Sequence, residues 1–241
     1  MAIHIERLEV RFDGEIALSG LDLEVPLGTS LAVIGRNGSG KSSLLRAIAG
    51  TVEPFAGTVR AGDTAFVLQS TEVDRSLPIT VRETVALARY ARLGPLRRFS
   101  AADRQAVADA LDRMAIADVA HRQLHDLSGG QRQRVLVAQG LAQHASVLLL
   151  DEPVTGLDVV SRAIILDVID EEVADGRAVV MTTHDLEDAG RCDAVLLLNT
   201  RPVAHGAPDH VLTPENLSTA FGAHFHASES GLLLDDPHHD H

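Results

Sequence analysis

The chain has 241 residues, 45% of them hydrophobic, enough to bury one large core or two small ones. Its 34 acidic and 21 basic residues leave a formal charge of −13, which argues against a nucleic-acid partner and against adhesion to anionic lipid. The lone cysteine, Cys192, excludes an internal disulfide; no apolar run approaches the ~20 residues that cross a bilayer, and the opening Met-Ala-Ile-His-Ile-Glu carries no secretory pattern.

Taken in order, Ile3, Ile5, Leu8 and Val10, then Leu21, Leu23 and Val25, alternate as short antiparallel strands. Ser30 to Gly35 reads as a buried strand, and Ser42 to Ala49 as a helix. Between them lies Gly35-Arg-Asn-Gly-Ser-Gly-Lys-Ser42, the G-x-x-x-x-G-K-[ST] phosphate-binding pattern in its strand–loop–helix frame. Lys41 is the one lysine among 21 basic residues. A slim ammonium reaches between phosphate oxygens where a broad guanidinium does not. Gly35, Gly38 and Gly40 let the backbone curl so that successive N–H groups point at an anion, and the following helix adds its positive end. Arg36, Asn37, Ser39 and Ser43 complete the loop, with Arg36 and Asn37 on its rim. Lys41 is expected to bridge the β- and γ-phosphates, and Ser42 to supply a hydroxyl to Mg²⁺.

Thr58-Val-Arg and Thr64 to Gln69 continue the β pattern. The middle of the chain turns helical: Thr80-Val-Arg-Glu83 is a capping box, and Ser100 caps a second helix with Val107, Leu111 and Met114 at helical spacing. Leu127-Ser-Gly-Gly-Gln-Arg-Gln-Arg-Val135 opens a third helix with Ser128, Gly129, Gly130 and Gln131, whose free N–H groups form a second anion nest. Ser146 to Asp151, Ala178 to His184 and Ala194 to Leu198 read as parallel strands buried on both faces. Asp151 and Glu152 end the first of these. An acid at the carboxyl end of a buried strand, beside a phosphate loop, suits Mg²⁺, and its neighbour suits polarisation of the attacking water.

One nucleotide does not need two anion nests from a single molecule. With that pair of motifs the chain resembles the ATP-binding subunit of an ABC transporter, over roughly residues 3–215. The resemblance implies an α/β fold: a P-loop NTPase core with an antiparallel β subdomain and an inserted α-helical subdomain. It divides the chain into an ATPase domain at 1–221, with a helical insertion at about 72–145, and a His/Asp-rich tail at 222–241. It implies a homodimer in which Ser128, Gly129, Gly130 and Gln131 cap the ATP held by the partner's loop. It further implies that Phe12 stacks on adenine, that Gln69 joins Ser42 and Asp151 at Mg²⁺, and that Asp158 lies on the loop facing across the dimer. Lys41, Glu152 and His184 form the catalytic set, with ATP and Mg²⁺ as cofactors. Phe12 and Thr155-Gly-Leu-Asp158 depart slightly from the family's usual Tyr and Ser-Ala. A packed core phenylalanine is the competing reading of Phe12.

Finer stretches, including Ser70 to Thr84 and Leu196 to Gly206, are similar to ATPases of manganese, zinc or iron uptake. That likeness implies two integral-membrane permeases, an extracytoplasmic metal-binding protein acting indirectly, and a cytoplasmic, membrane-peripheral location. Of the 12 histidines, His205, His210, His224, His226, His238, His239 and His241 fall at the carboxyl end beside Asp235, Asp236 and Asp240. A solvated tail is expected there; imidazole with carboxylate also suits Zn²⁺ or Mn²⁺. A soluble ABC-type ATPase in repair, translation or cluster assembly, a nucleotide-binding regulator without turnover, and an ABC transporter for another substrate are the alternatives.

Overall fold

The computed structural model describes residues 1–68, 78–93, 98–222, 225–228 and 231–234. Gln69 lies outside these residues, as do His224, His238, His239, His241, Asp235, Asp236 and Asp240. β1 (Ile3–Phe12) and β2 (Glu15–Val25) form a hairpin through Asp13 and Gly14, both at positive φ, as a two-residue turn requires. The chain then runs through β3 (Ser30–Ile34), α1 (Lys41–Ile48), β4 (Ala56–Ala61) and β5 (Thr64–Val67). β4 returns to pair with β1, giving an antiparallel sheet of order β2-β1-β4.

Three helices follow: α2 (Val81–Leu93), α3 (Ala101–Arg113) and α4 (Gly129–Leu141). Each begins where the sequence places a cap. The Glu83 carboxylate accepts from the Thr80 amide at 2.8 Å, and Ser100 and Ser128 close capping boxes with Asp103 and Gln131. Arg89 of α2 donates to Asp103 of α3 at 2.9 Å and to the Ala142 carbonyl beyond α4 at 3.0 Å, so one guanidinium ties the three helices together.

The rest of the chain is β6 (Val147–Leu150), α5 (Val159–Ala174), β7 (Ala178–Thr182), α6 (Leu186–Gly190), β8 (Ala194–Asn199), β9 (Arg201–Gly206), α7 (Pro208–Val211), α8 (Pro214–Phe221), β10 (Phe225–Ser228) and β11 (Gly231–Leu234). Six strands form a second sheet of order β5-β6-β7-β3-β8-β9, parallel except for β9. Alternate residues of its inner strands feed two cores. Ala32, Ile34, Leu148, Leu150, Val195 and Leu197 pack with the helices after β5; Leu31, Val33, Leu149 and Leu196 pack with α1 and the antiparallel sheet. Burial on both faces explains the unbroken apolar runs. β10 and β11 pair as a separate antiparallel hairpin. Among the described residues no helix is long and apolar enough to cross a membrane.

Candidate functional site

The phosphate-loop sequence occupies the turn between β3 and α1, at the carboxyl end of the parallel sheet. Gly40 has φ +100°, and a Cβ there would sit 2.5 Å from the Ala17 carbonyl oxygen, so only glycine fits. The loop walls a cavity of about 500 Å³ lined by Asn37, Gly38, Ser39, Gly40, Lys41, Ser42 and Ser43, with Ala17 and Glu152 opposite. No side chain caps α1, which leaves its first amides directed at this cavity. The Ser39 hydroxyl is buried and has no partner among the described residues. Amide donors, an orphaned hydroxyl and a helix N-terminus together fit a polyanion.

Lys41 is 7% exposed and donates to the carbonyls of Gly35 at 2.8 Å and Arg36 at 3.1 Å. Burial lowers its pKa, while the charges of Glu152 and Asp151 pull it back up. Arg36, Asn37 and Gly38 are exposed on the rim, as their positions in the loop suggested.

Asp151 follows β6 and Glu152 turns away from it at φ +48°, in the left-handed region that non-glycine residues seldom occupy. This turn brings Glu152 to the wall of the phosphate cavity. Thr182, the last residue of β7, fixes both acids. Its hydroxyl accepts from the Glu152 amide at 2.8 Å and donates to Asp151 Oδ1 at 2.7 Å. Sequence reasoning missed Thr182; the signal was a buried threonine closing an apolar strand one neighbour away from the acids. The Ser42 hydroxyl and the Asp151 carboxylate are hard oxygen donors of the kind Mg²⁺ takes.

None of the remaining described candidates lines the phosphate cavity. Phe12 closes β1 with 42% of its surface exposed, so it is not a core residue, and it does not line the phosphate cavity. His184 is exposed just past β7 and lines a different cavity, of about 280 Å³, with Thr155, Gly156, Leu157 and Asp188. Asp158 caps α5 by accepting from the Ser161 amide at 2.9 Å; that bond leads the causes holding its carboxyl below the ordinary range. Ser128 and Gly129 are exposed at the start of α4 and do not line the phosphate cavity of their own chain. The second anion nest therefore faces outward.

A family model described as ABC transporter matches residues 18–155. Among curated relatives, the manganese transport system ATP-binding protein MntA of Synechocystis is 37% identical over 242 residues, covering 92% of this chain and 93% of its own. The chelated iron transport system membrane protein YfeB of Yersinia pestis is 34% identical, over 93% of this chain and 80% of that protein. Among solved structures, a metal-chelate type ABC transporter in an inward-facing conformation superposes with a TM-score of 0.85 at 28% identity, covering 97% of this chain and 95% of that one.

Proposed function

Since the chain belongs to the ABC transporter family as an ATP-hydrolysing subunit, we propose that it powers import of a divalent transition metal, manganese, zinc or iron, through partner permeases. The observation that carries the metal reading is near full-length similarity to relatives named for manganese and chelated iron transport. The ATPase works with membrane-embedded permeases and acts as a dimer; the extracytoplasmic metal-binding protein meets the permeases rather than this chain.

Each residue then takes the task that the family resemblance implies for it. The amides of Gly38, Gly40 and the first turn of α1 hold the phosphates, with Lys41 between the β- and γ-groups and Phe12 against adenine. Ser42 and Asp151, with Gln69, hold Mg²⁺, which when bound neutralises charge on the phosphates. Glu152, on the cavity wall, accepts a proton from the attacking water. His184 contacts the γ-phosphate from its own ATP's side. The exposed turn from Ser128 to Gln131 closes over the partner's ATP, and Asp158 faces the junction. The cytoplasmic face of the membrane is the place where these parts meet.

The test is uptake of Mn²⁺, Zn²⁺ and Fe²⁺, each measured separately, in cells lacking the subunit. Uptake of one ion should fall and be restored by the wild-type chain but not by Glu152→Gln. Unchanged uptake of all three would refute the metal reading.

A further inference from the structure

His184 stands between two residues that are themselves tied down. Thr183 accepts from the Asp185 amide through its hydroxyl at 3.0 Å, and Asp185 caps α6 by accepting from the Glu187 amide at 2.8 Å. Arg162, in the first turn of α5, donates from one guanidinium nitrogen to Asp188 at 2.6 Å and lies 3.3 Å from Asp185. Asp188 is buried while the Arg162 side chain stays 33% exposed, so the acid's end of this contact is desolvated and the cation's end meets solvent. The same nitrogen thus grips α6 and the residue directly after His184.

The first turn of α5 reaches the opposite way as well. A Cβ on Gly130 would lie 2.5 Å from the Ser161 hydroxyl and 2.6 Å from Asp158 Oδ2, so the nest at the start of α4 rests directly on this turn. Arg162 is bonded into it through its amide, which donates to the Asp158 carbonyl at 3.0 Å. The nest, the Asp158 turn and the backbone that carries the guanidinium are thus in direct contact.

We infer that Arg162 is a positioning residue that sets His184 according to the state of the α4 nest and the Asp158 turn. The inference rests on the proposed dimer of half-sites. There, the nest engages the partner's ATP while His184 serves the chain's own, so Arg162 connects one ATP to the other. It touches neither nucleotide.

The experiment uses the full chain and two variants, Arg162→Ala and the double variant Arg162→Ala with Asp188→Asn. The single variant leaves a buried acid without its cation; the double removes both charges together and should keep a Tm nearer wild type. Steady-state ATP hydrolysis, equilibrium ATP binding and Tm are measured for each. Both variants should lose about tenfold or more in kcat, because a misplaced group costs rate rather than affinity, with KM and Kd for ATP within about twofold of wild type. Wild-type kcat in the double variant would reduce Arg162 to a structural strut and overturn the inference. A wild-type chain that binds ATP with Mg²⁺ yet never turns it over would instead overturn the ATPase reading beneath it.

Discussion

At the residue scale, one hydroxyl organises the two acids proposed for hydrolysis. Thr182 holds Asp151 by donating and the Glu152 backbone by accepting, so the strand β7 sets the aim of two residues that belong to β6 and its turn. Substituting Glu152→Gln removes the proton acceptor but keeps the side chain's shape and its turn. Hydrolysis should fall about 100-fold or more while ATP binding persists, since positioned acid–base groups contribute at least that much. Light scattering should then find an ATP-dependent dimer; a monomer with ATP and Mg²⁺ would count against the role given to Glu152. The acids were legible because a buried apolar run that ends in two carboxylates has few structural explanations. Thr182 was not, because a single threonine in a hydrophobic strand has no pattern that says where its hydroxyl points.

At the element scale, caps and glycines decide how the helices meet the site. The Ser100 hydroxyl bond to Asp103 is the largest cause holding that carboxyl at about 2, with the Ser100 amide and Arg89 adding to it. The sign is that of a depressed acid: its stabilisation is complete above the ordinary value of 3.8 and is lost as pH falls toward about 2. Ser100→Ala should therefore begin acid unfolding at a higher pH, and should cost about 1 kcal/mol at neutral pH, as lost N-caps do. Denaturant titrations across pH measure both. The two glycines of the α4 nest predict opposite failures. A Cβ at Gly129 meets nothing within 4 Å, whereas one at Gly130 meets Ser161 and Asp158. Gly129→Ala should leave the monomer's Tm within a degree or so and impair only ATP-driven dimerisation, while Gly130→Ala should lower Tm by several degrees. The capping box at Thr80 and the cap at Ser100 could be read directly from spacing, whereas the reciprocal bonds of Asp103 and Gln131 emerge only in the structure. β9 could not, because Pro202 and Gly206 hide an edge strand whose pairing with β8 depends on the neighbouring sheet.

At the scale of the whole molecule, two cores share one sheet and a buried acid joins the helical segment to it. Glu172, 0% exposed on α5, pairs with Arg113 at the end of α3 and with Arg177 ahead of β7. That α/β frame was readable from continuous strands flanked by helices. The clamp was not, since its three residues belong to different elements and none stands out by type. The outward turn from Ser128 to Gln131 has a further consequence for the kinetics. On the proposed dimer of half-sites, a lone copy holds a triphosphate cradle that the partner's nest must shut, so turnover requires collision of two loaded copies. In dilute solution, without permeases, the velocity at saturating ATP should climb with the square of the enzyme concentration and become linear only once pairing saturates. Anchoring two copies beneath one pore would abolish that second-order regime, making encounter frequency irrelevant and leaving the permease to set the tempo.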